Sequence, residues 1–566
     1  MIRAAHTREW RWSLTLPSIL TGTLRALPLA LVLAAGGLLC GQDMTSEAGV
    51  QARGDSARYL MNGAFFFDLV RDASSLDASG LLRWAQLYYA RYPALSIGHH
   101  PILLPIVEAA GFAVFGLSVF SARLIVLLFF TGGIALLYAL IREVYDDDFA
   151  AFIGAAILAT NPVLVHYGRS ILSDAPTVAL SIGAVYMLAV YGRTGRLRHL
   201  VGLATLTVLS LYSKQLAIFL IPLAAIHLAK TRGWRHLLSW RVIVAAAVTA
   251  MAILPLVFIT VRLSSHNVTL AMDVARGDWP QPFGPFGLFV VALKEQFLVW
   301  VALVAGAATL LALLKRDTRA TLFIAWIALV FLQVYWFTGE LFPERYAIYW
   351  IPAFAGLAAS LVTLVNRPEV RWASGMLVLV LAVYSGVATA LKPTPITTGY
   401  DEAAEYVVRA GKGDSVLFDG PFDTGLFVFD IRKRDPKAQM VVLRADKVFA
   451  TSRMIRTVDR IATADEIYAA LDRFGTAFVV VEETPTGSPA LALFRQQLMT
   501  SRFAERRRWI VRSSDPTMDG MPLIIYEYLH ATAADRTATL DLDLPLAGQS
   551  ITLRFGDLLD QSDQRR

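Results

Sequence analysis

The sequence predicts a polytopic α-helical membrane protein that carries a soluble α/β domain at its C-terminal end. Three observations lead there. The 566 residues are 56% apolar and only 17% charged, with a mean hydropathy of +0.52, which no stack of soluble domains of this length shows. The apolar residues recur in runs of about 20, long enough for a helix to cross a hydrocarbon core about 30 Å thick. After Lys392-Pro393-Thr394-Pro395 those runs stop, and short buried-strand patterns alternate with amphipathic helices.

The charge balance and the cysteine count exclude other classes. A formal net charge of +7 and a pI near 9.4 would suit nucleic acid, but the excess Lys and Arg sit in short loops between apolar runs, as orientation signals do. No basic face interleaved with aromatics is present, so no nucleic-acid partner is expected. Cys40 is the only cysteine, which rules out an intramolecular disulfide and a cysteine-based zinc site. It follows Leu39, where a lipoprotein cleavage signal needs a small residue.

Taken in order, the first apolar run, 14–39, follows Arg3, Arg8 and Arg11. It is too long for a signal peptide and lacks a small-x-small cleavage site, so it is the first span, with the N-terminus inside. The loop 41–120 is then outside, with amphipathic surface helices expected over 56–70 and 81–90. The segment 101–117 decides the topology. It is apolar but short, and it carries Pro101, Pro105 and Glu108. Laid in the outer interface rather than across, it leaves Arg193, Arg196 and Arg198, then Lys230, Arg232 and Arg235, then Lys315, Arg316 and Arg319, and finally Arg367 and Arg371, all on the inner side. The remaining spans are then 121–143, 149–167, 175–192, 198–213, 215–230, 241–262, 286–314, 320–338, 346–365 and 372–391. That makes about eleven transmembrane helices, a membrane domain over 1–391 and an extracytoplasmic α/β domain over 392–566. In the latter, strands are expected at 415–419, 441–444, 477–482 and 523–528, and helices at 401–410 and 464–474.

This topology sends polar clusters to one face: Asp55, Arg58 and Tyr59; His99 and His100; Arg169 and Asp174; and Glu344, Arg345 and Tyr346. Lys214, at the tip of a helical hairpin, can join them. An ionisable group at membrane depth costs at least about 2.5 kcal/mol, so several at the outer ends of spans imply a shared polar cavity. Asp55 could act as a general base on an acceptor hydroxyl. It could equally cap the helix that starts at Ser56, and its local sequence favours the cap. His99-His100-Pro101 could receive a phosphate at a helix start or be ordinary interfacial histidines. Their spacing does not suit metal ligation, and no HExxH-like pattern occurs. Arg169 suits bidentate phosphate binding, and Asp174 could hold that arginine or a sugar hydroxyl. Lys214 offers a point charge or simply snorkels. Glu344-Arg345-Tyr346 could be a structural ion pair or an anion clamp.

Together these motifs resemble the GT-C class of integral-membrane glycosyltransferases, in particular the protein O-mannosyltransferase and aminoarabinose transferase relatives (glycosyltransferase family 39-like). The resemblance covers about the first 390 residues through GDSARY, GHHPILLPIVEAAGFAVFG, SARL, NPVLVHYGRSILSDAPTVAL, LYSKQLAIFLIPLA and PERYAIYWIPAFAGLAA. It implies a sugar donor on a polyprenyl phosphate, with the lipid tail between helices and the phosphate held by cations. Asp55 would be the catalytic carboxylate. Arg58, Tyr59, His99 or His100, Arg169, Asp174, Lys214, Glu344, Arg345 and Tyr346 would surround the donor.

Two departures stand out: the Asp-Glu pair of the pattern is Asp55-Ser56 here, and His-Pro-Pro-Leu is His100-Pro101-Ile102-Leu103. No resident metal or cofactor is required, since fixed Arg and Lys can neutralise a monophosphate leaving group. Other members of the broader class use a divalent ion, which leaves that possibility open. The expected activity is transfer of the sugar to a hydroxyl of a cell-envelope glycan, lipid or protein at the outer face of a bacterial inner membrane. The alternative is a lipid or sugar transporter or flippase, which would call for inverted repeats and polar groups at the bilayer midplane. The C-terminal domain shows neither a Gly-rich phosphate loop nor a nucleophile motif.

Overall fold

The computed structural model describes residues 18–51, 54–72, 77–263, 286–297, 299–337, 343–453, 456–544 and 549–563. The membrane part begins with α1 (Ser18–Cys40). Three helices expected on the outer side follow, α2 (Ser56–Asp72), α3 (Ala78–Arg91) and α4 (Leu103–Phe115). Next come α5 (Val119–Tyr145), α6 (Asp148–Ala159), α7 (Pro162–Arg169), α8 (Asp174–Thr194), α9 (Leu197–Ser213) and α10 (Leu220–Arg232). The part closes with α11 (Trp240–Leu263), α12 (Phe286–Phe297), α13 (Trp300–Leu314), α14 (Thr321–Phe337), α15 (Ile351–Leu364) and α16 (Pro368–Ala390). Every apolar run forms a helix or a pair of helices. Among the described residues six helices are long and apolar enough to cross a membrane, and up to eight if the bent pairs α6–α7 and α12–α13 each count as one span. α9 and α10 are shorter than that, as is the stretch of α1 whose side chains are described, 26–40, so the count of eleven rests on the sequence pattern.

Two segments expected as straight spans are broken. The α6–α7 axis turns by 57° at Asn161-Pro162. Proline supplies no N–H there, and the Asn161 side chain accepts from the backbone of Val163 and Leu164 instead. Its amide also donates to the Gln296 carbonyl at 2.8 Å, tying the break to α12. The α12–α13 pair turns by 106°. In contrast, α8 and the span 347–364 that contains α15 are interior, each with 83% of its apolar window buried, whereas only 6% of that of α11 is. A helix that exposes Met251, Leu254 and Phe258 faces lipid.

The outer helices depart from expectation more. The 13 residues of α4 rise about 20 Å, less than a hydrocarbon core. Its one acid, Glu108, is fully buried against α2, where a Cβ on Gly63 would come within 2.9 Å of its carboxylate. Neither oxygen has a hydrogen-bond partner among the described residues, and burial pushes the carboxyl up to about 8. Nor do α2 and α3 lie open on a surface. One face of α2 meets α4 and another meets the C-terminal domain, which buries 10 of its 17 residues.

That domain comprises α17 (Tyr400–Ala410), β1 (Ser415–Asp419), α18 (Thr424–Arg434), β2 (Val441–Arg444), β3 (Ala450–Arg453), β4 (Arg456–Asp459) and α19 (Ala464–Arg473). It continues with β5 (Thr476–Glu482), α20 (Pro489–Gln497), β6 (Phe503–Ile510), β7 (Pro522–Tyr528), β8 (Thr539–Leu544), β9 (Gln549–Arg554) and α21 (Phe555–Asp563). The central sheet has the order β2-β1-β5-β7-β6. β1 runs parallel to β2 and β5, while β7 is antiparallel to both β5 and β6. The four expected strands are all present, and β1 and β5 are buried throughout. β6 is new. Its Arg506, Arg507 and Arg508 hid it, because an edge strand tolerates charge and a bulge at 505–507 breaks the period of two. The polar end, 535–566, supplies the β8–β9 hairpin and α21.

Candidate functional site

The first polar group is set by the start of α2. Tyr59 N–H donates to the Asp55 carbonyl at 2.9 Å, so Asp55 stands at the helix entrance with its carboxylate turned outward. Arg345 Nη2 donates to its Oδ2 at 3.2 Å. His100 Nε2 stands 3.4 Å from its Oδ1 and Arg58 Nη1 3.7 Å from the same oxygen. Burial raises this carboxyl, but His100, Arg345 and Arg58 outweigh it and hold Asp55 well below the usual carboxylate range. With 23% of its side chain exposed, it remains open to a reactant.

Asp174, the first residue of α8, is wholly buried. Lys214, the residue that ends α9, donates to its Oδ1 at 2.6 Å. Arg345 donates to its Oδ2 at 3.2 Å, so one guanidinium nitrogen links Asp174 to Asp55. With both oxygens engaged, Asp174 is a counter-ion of Lys214 and Arg345. The start of α8, with its positive dipole end, favours its charge. Lys214 Nζ also lies 5.5 Å from the centre of the Tyr346 ring.

The remaining expected residues divide. Tyr59 is buried, its hydroxyl 2.7 Å from Ser173 Oγ, and it joins α2 to α8. Burial drives its phenol well above the ordinary value, so it stays protonated. Of the two histidines, His100 faces Asp55, its ring 4.9 Å from Tyr59; His99 packs edge-on against His100 at 4.7 Å. The side chain of Glu344 lies outside the described ones.

Arg169 is elsewhere. It donates to the carbonyls of Leu39, Lys392 and Thr389 and to Gln42 Oε1, at 2.9, 3.0, 3.5 and 2.6 Å. It therefore ties the outer ends of α1 and α16 together, where unsatisfied helix carbonyls favour a cation. Arg123, from the SARL motif, does the same work next door. It is buried and donates to the carbonyls of Gln42, at 2.9 Å, and Asp43. The two arginines pin the loop that leads from α1 to Asp55. Replacing Arg169 by Lys keeps the charge and loses the fork. That variant should lower the melting temperature while leaving the donor KM near wild type; a raised KM at unchanged stability would return Arg169 to the phosphate.

Two site residues carried no usable sequence signal. Ser173 is a small hydroxyl among many. Tyr349, in an apolar run, is buried within electrostatic reach of Asp174 and Arg345, and its hydroxyl has no hydrogen-bond partner among the described residues. Five residues beyond Arg345, Trp350 borders an apolar cavity of about 450 Å³ between α12, α13, α14 and α15, lined also by Phe289, Leu293, Ile324, Phe331 and Phe354. No group of three or more His, Cys, Asp or Glu side chains is arranged to hold a metal ion among the described residues.

A bundle of apolar helices with polar groups gathered at helix ends, the three helices α2 to α4 and a C-terminal α/β domain make up a fold shared with solved membrane proteins. Residues 99–259 match the family described as dolichyl-phosphate-mannose-protein mannosyltransferase. The whole chain is similar to ArnT from Cupriavidus metallidurans bound to undecaprenyl phosphate, with 15% identity, a TM-score of 0.56, and coverage of 91% of this chain and 99% of that one. The apo state of that protein matches at 14% identity and the same TM-score, over 90% and 98% of the two chains. The Archaeoglobus fulgidus oligosaccharyltransferase in complex with Zn and sulfate is more distant, with 11% identity, a TM-score of 0.50, and coverage of 80% and 68%. No curated protein matches by sequence.

Proposed function

We propose that this integral membrane protein transfers a sugar from a polyprenyl-phosphate carrier to a hydroxyl of a cell-envelope glycan, lipid or protein, at the extracytoplasmic face of a bacterial inner membrane. One observation carries the reading: a part-exposed carboxylate, Asp55, stands between the half-exposed Arg58 and the anchored Arg345, and the Asp174 counter-ion shared through Arg345 brings in Lys214. Two described carboxylates against three cations leave room for an anion. The apolar cavity that begins near Trp350 suits a prenyl chain. The family match over 99–259 and the similar fold of a protein bound to undecaprenyl phosphate support the same donor.

In this reading Asp55 takes the proton of the acceptor hydroxyl while that oxygen bonds to the anomeric carbon and the bond to the carrier phosphate breaks. Arg58, Arg345 and Lys214 meet the charge that develops on the phosphate. In the resting site Arg345 also neutralises Asp55, which weakens it as a base. An arriving phosphate competes for that guanidinium and restores basicity. The pH profile tests this. Asp55 must be ionised to act, so activity falls as pH drops through its pKa. The acid limb of kcat/KM, which reports the free enzyme, should lie below the ordinary aspartate value of ~3.9, and that of kcat at higher pH. Coincident limbs would remove the competition.

The purified protein, given a radiolabelled polyprenyl-phosphate sugar and crude envelope acceptors, should move label. Mass spectrometry of the lipid that copurifies should find the carrier. Transfer without a resident metal is part of the proposal, because the three cations supply the neutralisation. Treatment with EDTA should leave the rate within about twofold, and a loss restored by a divalent ion would overturn that part.

A further inference from the structure

We propose that the C-terminal α/β domain is a positioning element of the transfer site, holding the Asp55 end of α2 through the contact of Gly425 with Ala57 and the buried pair Asp68–Arg432. The inference rests on the sugar-transfer reading above. It starts from a core that ignores the domain boundary. Val50, Ala57, Tyr59, Leu60 and Met61 of the outer loop and α2 belong to one buried apolar cluster with Val416, Phe418, Phe427 and Val428 of the soluble domain.

Within that cluster α18 lies against α2. At the end of α2 that bears Asp55, a Cβ added to Gly425 would come within 3.0 Å of Ala57 Cβ, two residues from the carboxylate. A side chain there would press α18 and α2 apart by a few tenths of an ångström or more, so glycine permits the close approach. At the far end, Arg432 donates through Nε to Asp68 Oδ2 at 2.7 Å and through Nη2 to Oδ1. Both side chains are buried. Tyr88 of α3 donates to the same carboxylate at 2.9 Å, and Arg71 reaches it at 3.0 Å. Asp68 is thus a buried charge to which the soluble domain supplies a buried, two-pronged cationic partner, Arg432.

The loop before α18 is itself held. The buried Glu482 at the end of β5 accepts from Tyr400 Oη at 2.6 Å, from Phe422 N–H at 2.8 Å and from Asp423 N–H at 3.0 Å. Gly420 allows this, since a Cβ there would meet the Glu482 carboxyl carbon at 2.4 Å. A path of packed groups therefore runs from the sheet, through Glu482 and the loop 420–424, to Gly425, Ala57 and Asp55. On the other side of the domain, Arg444 Nη1 donates to the Pro93 carbonyl at 3.3 Å and Arg91 to the Leu558 carbonyl, which docks α3 in the same manner. Nothing in the path touches a reactant, so Gly425 and Arg432 are positioning residues.

The test compares Gly425→Ala, Gly425→Leu and Arg432→Lys with Gly487→Ala, a control whose added methyl meets nothing within 4 Å. Gly425→Leu pushes α18 from Ala57 without leaving a charge buried, so it separates positioning from misfolding. It should lower kcat about tenfold or more, because small misplacements near the chemistry are costly, with donor KM unchanged. The acid limb of kcat/KM should rise by about one pH unit as Asp55 moves from His100 and Arg345. Gly425→Ala and Arg432→Lys should show smaller changes of the same sign, and Gly487→Ala none. Hydrogen exchange supplies a readout independent of activity: the amides of residues 56–60 should exchange faster in Gly425→Leu. Unchanged exchange there would overturn the proposal whether or not the wild type transfers sugar. An inert wild type with faster exchange in the variant would instead overturn the functional reading alone.

Discussion

Asp55→Asn should lower the transfer rate by about 10²- to 10⁴-fold, the range over which a positioned acid or base contributes, while the variant still folds and still copurifies with lipid. The substitution keeps the shape of the side chain and removes its charge and proton affinity. It leaves Arg345 its second carboxylate, Asp174, at 3.2 Å, so the guanidinium remains anchored. Donor KM should fall or stay level, because an anion arriving at Arg345 and Arg58 no longer competes with the Asp55 carboxylate. A variant that transfers sugar at the wild-type rate would sink the catalytic assignment. One with raised KM and normal kcat would make Asp55 a binding group only.

Asp174→Ala should be more damaging to the fold than any substitution at Asp55. The carboxylate has no solvent exposure, and both its oxygens are engaged, by Lys214 and by Arg345. Its removal leaves the Lys214 ammonium buried without a counter-ion, and breaking a buried pair in this way costs about 3–5 kcal/mol. The double variant Asp174→Ala/Lys214→Met removes both charges and should recover much of that loss. Its transfer rate should nevertheless stay low, since Arg345 then has Asp55 as its only described carboxylate and the site lacks one of its cations. Thermal unfolding of the two variants in detergent checks the first claim, and single-turnover transfer the second. If the double variant were no more stable than the single one, the pairing would not be what Asp174 is for.

The legible parts of the site share a property: each is an ionisable residue at the end of an apolar run. Asp55, Lys214 and Arg345 stand out because a charge beside a long hydrophobic segment has no bland neighbours. Arg169 has the same signature and misled, because its five-residue separation from Asp174 suggested a pair. The chain reverses between them, and α7 ends facing the carbonyls of α1 and α16 while α8 begins facing Lys214. Glu108 was legible as an anomaly in an apolar helix but not in its destination, since nothing local says that Gly63 of α2 makes room for it. Ser173 and Tyr349 carry no charge and could not be singled out. β6 was hidden because three consecutive arginines on an edge look like a loop, and Glu527 and Glu483, which pair with Arg506 and Arg508, lie elsewhere in the chain.

The sequence by itself determined where the helices and central strands run and which ionisable groups stand at helix ends. These follow from hydrophobic period and run length, which are local properties. Only the tertiary structure decided the partners. Asp174 meets Lys214 across 40 residues and Arg345 across 171, while Asp68 meets Arg432 across 364. A charge can be placed from its neighbours in sequence. Which opposite charge satisfies it depends on how distant helices pack, and that packing made the soluble domain a wall of the Asp55 helix.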